Sequence, residues 1–208
     1  MIPFFIYQEL YGPYGMDAIR ELGEIERYYE IYDKGAKFET DDGEDYIPAK
    51  LRSHQIKKLI RREAQFMFGK FPYFRISCPD EQKVDGNRPN ESAMQEHVDK
   101  ILKINRMPDK LIKGARDCSI AGRVAIKVNV SPAKCNITFV PADGFVYETE
   151  MDDIDQLNRI TFFCTMQDDE DRARQRIWIQ KYWMGNDRCM VTERITDGYG
   201  QKVDWEGE

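Results

Sequence analysis

The spacing of apolar residues changes at Gly122, and this change constrains the fold more than any other feature of the 208-residue sequence. After Gly122, apolar residues occupy every second position from Val124 to Val130, which is the pattern of a β-strand. Before Gly122, they recur every three or four positions, which is the pattern of amphipathic helices. Helices followed by a run of strands predict an α+β fold rather than alternating βαβ units.

A helix is predicted over residues 53–69, with Ser53 as its N-cap. Its apolar stripe includes Leu59, Ile60 and Met67, and we expect these three side chains to be buried. Further helices are predicted around Leu22 and Ile25, at 91–105 and at 108–121, and a short strand is predicted at 73–76.

The strands after Gly122 are separated by short polar turns and by no helix. We therefore expect one mostly antiparallel sheet, with the helices packed as a separate layer. The length fits one domain with an attached arm. We assign the arm to residues 1–50, which are rich in glycine and aromatic residues, and the α+β domain to 51–208. The predicted strands cover 123–131, 135–141, 157–167, 174–185 and 188–196.

Composition and charge exclude several classes of protein. Hydrophobic residues make up 41% and aromatic residues 12% of the sequence, which is enough for a core and excludes general disorder. A net charge of −6 argues against a generic nucleic-acid-binding surface. No window approaches 18 uninterrupted apolar residues, so no membrane span is expected. The five cysteines form no CxxC pair, and we read the chain as cytosolic.

Residues that could carry catalysis are few. The two histidines, His54 and His97, lie in no metal-ligand or catalytic spacing. Aspartates 152, 153 and 155 form one acidic cluster and residues 168–171 form another, and paired carboxylates can hold Mg²⁺ for phosphoryl chemistry. Both clusters lie in predicted turns, where solvated acidic residues are ordinary. We predict no catalytic residue, no metal ligand and no cofactor, and a protein that is not an enzyme.

Four basic residues lie on the polar side of the helix at 53–69, opposite its predicted apolar stripe. A solvated helix face is the usual explanation of such a run. The alternative is a contact with an acidic partner, such as a neighbouring copy of this acidic chain. This basic face consists of Lys57, Lys58, Arg61 and Arg62.

The order of several segments resembles the N-terminal half of a tailed-bacteriophage portal protein. The segment YEIYDKG at 29–35 is similar to the family's segment before the first helix. Residues 52–76 resemble its helix that ends in a hydrophobic-Gly-x-x-Pro turn. Residues 115–128 resemble its passage from helix to strand, and 137–148 resemble the strand that follows. The resemblance spans about residues 25–195 and rests on order and spacing.

The resemblance implies the wing-type portion of a structural protein, with a stem and clip lying beyond Glu208. It implies a closed ring of about twelve subunits at one capsid vertex, as a conduit for DNA packaging and ejection. Implied partners are other copies of the chain, terminase, capsid and head–tail connector proteins, and double-stranded DNA that passes through without sequence-specific binding. The implied location is the virion, and the host cytoplasm during assembly.

Two other classes of function stay open at this point. The acidic clusters leave open a metal-dependent phosphoryl-transfer or nuclease domain. The absence of a diagnostic motif leaves open an adaptor module unrelated to virions.

Overall fold

The computed structural model describes residues 15–37, 52–76, 91–131, 134–150, 153, 155–167, 175–185, 188–197 and 201–203. Its helices are α1 (Gly15–Lys34), α2 (Gln55–Phe68), α3 (Glu91–Ile104) and α4 (Met107–Ala121). Its strands are β1 (Ala36–Lys37), β2 (Arg52–Ser53), β3 (Val124–Ser131), β4 (Lys134–Pro141), β5 (Phe145–Thr149), β6 (Leu157–Gln167), β7 (Gln175–Gly185) and β8 (Arg188–Asp197). The chain divides into two compact units. One is Tyr32–Val140, and the other combines Met1–Ile31 with Pro141–Glu208.

In the Tyr32–Val140 unit, α4 packs along α2 and also contacts β3. Strands β3 and β4 form a two-stranded sheet, which is antiparallel because a two-residue connection cannot join parallel strands. Gly114 lets α4 approach β4 closely, since a Cβ at this position would overlap the ring of Phe139. Helix α4 starts with Pro108 in its first turn and ends at Gly122, whose φ of 75° is the usual conformation of a C-terminal glycine.

Asn105, between α3 and α4, joins the helices to the outer edge of β4. Its amide nitrogen donates to the carbonyl oxygens of Ile101 and Cys135, both at 2.9 Å. Its amide oxygen accepts the backbone N–H of Ile137 at 2.8 Å. The ammonium of Lys110 donates to the same amide oxygen at 3.3 Å and also to the Ile137 carbonyl oxygen. Asn105 is 3% exposed, so one buried side chain takes the place of a neighbouring strand.

The strand predicted at 73–76 is wrong, because this segment joins no sheet. Gln95 of α3 satisfies its backbone instead. The Gln95 amide oxygen accepts the N–H of Ile76 at 2.9 Å, and its amide nitrogen donates to the Phe74 carbonyl oxygen at 2.8 Å. A side-chain amide therefore makes the contacts that the prediction assigned to an adjacent strand.

The other unit contains a four-stranded antiparallel meander in the order β5-β6-β7-β8. Alternation along β7 places Ile177 and Ile179 on one face, where they are 1% and 2% exposed. Phe162 lies on the opposite face, in edge-on contact with the ring of Tyr182. In the same unit, Leu22 of α1 is 1% exposed.

The α+β class is confirmed, and the helices predicted at 53–69, 91–105 and 108–121 and the five strands predicted after Gly122 lie within a few residues of their predicted bounds. The single sheet is wrong, because β3 and β4 form a sheet of their own and β5 joins the other. After Pro141, the short 3-10 helix Ala142–Gly144 separates β4 from β5. The division into an arm at 1–50 and a domain at 51–208 stays a prediction.

Two details of the helix at 53–69 are also wrong. Ser53 is not its N-cap, because Ser53 pairs with Ala36 between β2 and β1 and the cap position is held by His54. Leu59 and Met67 are 68% and 56% exposed, whereas Ile60 is 8% exposed. The buried face of α2 is narrow, and the apolar stripe in the sequence is wider than the face that meets α4.

Replacing Asn105 with alanine should destabilise the protein by about 2–4 kcal/mol. The change leaves two half-buried backbone groups of β4 without their partner, at about 1–2 kcal/mol each. The free energy of unfolding, measured by denaturant titration, checks this result. Asn129→Ala on β3 is the control, because Asn129 is exposed. A loss below about 0.5 kcal/mol for Asn105→Ala would contradict the role assigned to this side chain.

Neighbouring positions on α2 should respond very differently to truncation. Ile60→Ala should cost roughly 2–5 kcal/mol, as expected for a core side chain. Leu59→Ala should change the free energy of unfolding by less than about 0.5 kcal/mol, because Leu59 is mostly exposed. Thermal and denaturant unfolding of the two variants measure the difference. Equal losses at both positions would show that the buried face of α2 is assigned incorrectly.

Candidate subunit-contact surface

Helix α2 buries only a narrow strip of its surface. Ile60 and Ala64, one helical turn apart, are 8% and 1% exposed. The rest of its circumference carries charged, amide and large apolar side chains, most of them exposed. The four residues of the predicted basic face all lie on this helix, and the structure divides them into two pairs.

Lys57 and Arg61 contact the last turn of α1 within the Tyr32–Val140 unit. The Lys57 ammonium lies 3.3 Å from the Asp33 carboxylate and 4.9 Å from the centroid of the Tyr32 ring. The Nε of Arg61 donates to the Tyr32 hydroxyl at 3.4 Å. Tyr32 is itself buried. Because these basic groups surround a buried tyrosine, part of the basic face holds α2 against α1.

Lys58 and Arg62 lie on the exposed side of the helix. They flank Leu59 and Phe66, which are 68% and 93% exposed and occur seven residues apart on the same side of α2. We call these four residues the outer stripe of α2. Sequence analysis identified its cations, expected Leu59 to be buried, and did not single out Phe66. The seven-residue spacing of Leu59 and Phe66 could have predicted a second apolar line along the same side of the helix.

A second exposed apolar surface lies on β3. Ile126, Val128 and Val130 are 59%, 55% and 77% exposed. Side chains two residues apart project from the same face of a strand, so these three form one row. We call this row the β3 face.

The structure describes only part of the two acidic clusters. The Asp153 carboxylate accepts the backbone N–H of Asp155 at 3.0 Å, an ordinary turn contact, and both residues are exposed. Residue 152 and the whole cluster at 168–171 lie outside the described residues. Among the described residues, no group of three or more potential ligands could hold a metal ion. His54 and His97 are both exposed.

Among the described residues of the unit that contains the four-stranded sheet, Asp143 and Tyr182 have shifted pKa values. Burial raises the pKa of Asp143 in the short 3-10 helix, and the carboxylate of Glu26 adds to the increase. Burial also raises the pKa of Tyr182, with smaller contributions from Cys189 and Glu193. The raised values follow from burial and from nearby groups that disfavour the charged form.

Comparison with known proteins identifies the family. A family model described as phage portal protein, SPP1 Gp6-like, matches residues 16–205, which is nearly the whole chain. No curated protein matches the sequence. Within the part of the chain that the structure describes, no helix has both the length and the apolar character needed to span a bilayer. The resemblance in the sequence is thereby confirmed, and the chain belongs to the phage portal protein family of the SPP1 Gp6-like type.

Proposed function

We propose that this chain is a subunit of a portal ring at one capsid vertex, where it forms part of the conduit for DNA packaging and ejection. The observation that carries this proposal is the family match over residues 16–205. The portal family is structural, and membership implies a homo-oligomeric ring and a place in the virion capsid. The ring is also the docking point for terminase and for the head–tail connector proteins.

The net charge of the chain supports a conduit that does not hold DNA. Lys and Arg contacts to phosphate dominate non-specific affinity for DNA. An excess of six negative charges disfavours such contacts over most of the surface. Double-stranded DNA therefore passes through the ring without sequence-specific binding.

Only the outward pair of the basic face is available to support a subunit contact. Lys57 and Arg61 hold α2 in place through Tyr32 and Asp33. Lys58 and Arg62 are the outward pair, and they contact an acidic surface of the neighbouring copy in the ring. Opposite charges across an interface favour the correct docking of partners and suppress incorrect ones.

Assembly and location test this proposal. The chain should be detected in purified phage particles, and native mass spectrometry should find a closed assembly of about twelve copies. The double reversal Lys58→Glu with Arg62→Glu should raise the concentration needed for half-assembly by about tenfold, or about 1.4 kcal/mol. Lys100→Glu with Lys103→Glu is the matched control on α3, where both residues are exposed. A chain that is absent from particles and monomeric in solution would contradict the proposal.

Binding to duplex DNA separates a conduit from a nucleic-acid enzyme. Any binding by the isolated chain should be weak, independent of sequence and lost steeply between about 50 and 200 mM salt. Electrophoretic mobility shift at several salt concentrations measures it. Cleavage of the DNA in Mg²⁺ would support the nuclease alternative instead.

A further inference from the structure

We propose that the β3 face of one copy binds the outer stripe of α2 on the next copy of this chain. This inference rests on the proposed portal ring, in which the two surfaces would meet between adjacent subunits. Both surfaces belong to the Tyr32–Val140 unit.

The β3 face has the composition of an interface core. Single exposed apolar residues are ordinary on a protein surface, whereas a contiguous apolar row indicates a contact site. Every residue that projects from this face, from Val124 to Val130, is apolar. Lys127 projects from the other face because successive side chains of a strand alternate. A partner can therefore cover the row without burying a charge of β3.

Strands β3 and β4 form a hairpin, and the contacts around it leave β3 as the strand that a partner can reach. Along the outer edge of β4, the Cys135 carbonyl oxygen and the Ile137 N–H are bound by Asn105. Lys110 binds the Ile137 carbonyl oxygen. These contacts occupy the backbone groups by which a neighbouring strand would join β4. These contacts do not involve the apolar row of β3, whose side chains stay exposed and can receive a second copy.

The symmetry of a ring explains why the partner surface is a different one. Head-to-tail contacts that close into a ring join two different patches of identical subunits. The outer stripe of α2 supplies a second apolar patch, with Leu59 and Phe66 largely exposed. These two residues lie about 10 Å apart along the helix axis, at 1.5 Å per residue. Ile126 and Val130 lie about 13 Å apart along the strand, at about 3.3 Å per residue.

The two patches match in length and in chemistry. Leu59 and Phe66 would cover the valine and isoleucine side chains, while Lys58 and Arg62 would lie at the polar rim of the contact, where they face the acidic groups of the neighbouring copy. A standard interface involves about 20–30 residues on each side. The contact of α2 with β3 would therefore form one part of a larger interface between adjacent subunits.

A charge exchange across the interface tests the inference. Val128→Glu and Phe66→Lys should each raise the concentration for half-assembly at least about tenfold, and the double variant should restore assembly towards the wild-type value. Asn129→Glu and Gln65→Lys are matched controls. Each puts the same charge on an exposed neighbouring position that lies outside the proposed contact. Native mass spectrometry measures assembly, and circular dichroism verifies that every variant is folded.

Crosslinking gives a second readout that needs no destabilising change. A photoreactive phenylalanine at position 128, in a mixture of isotopically heavy and light chains, should crosslink to residues 55–68 of a different copy. Rings that form normally with Val128→Glu, or crosslinks that map elsewhere, would overturn the inference and leave the portal proposal standing. A wild-type chain that forms no assembly would overturn both.

Discussion

The hydrogen bonds of Asn105 tie together the parts of the Tyr32–Val140 unit that come from distant stretches of sequence. One buried amide contacts the end of α3 through Ile101 and the edge of β4 through Cys135 and Ile137. An amide can donate and accept at once, so it can satisfy two backbone groups of a strand in the way a neighbouring strand would. Together with Lys110 of α4, which binds both Asn105 and Ile137, this side chain joins the helices to the edge of β4.

The unit combines buried packing contacts with exposed apolar surfaces. In the buried contacts, Gly114 of α4 lies against Phe139 and the narrow strip of α2 faces α4. Elsewhere in the unit, α2 and β3 each present large apolar residues to solvent. The proposed ring would account for this exposure, because a ring subunit has further surface to cover in its assembly.

The basic face illustrates how one sequence pattern can serve two physical purposes. All four cations share one helix, but Lys57 and Arg61 contact Tyr32 and Asp33 and therefore contribute to packing within the chain. Lys58 and Arg62 remain at the surface beside Leu59. Charge spacing along a helix indicates which residues are neighbours. It does not indicate which of them will meet another element of the same chain.

The sequence by itself determined the class of the fold, the bounds of the three helices after residue 50 and of the five predicted strands, and the family, because each of these depends on local spacing and on the order of segments. The tertiary structure decided which strands pair, which side of α2 is buried, and that residues 73–76 bind Gln95 rather than a strand. These outcomes depend on contacts between residues far apart in the chain. Periodicity along one segment carries no information about the surface that will meet it.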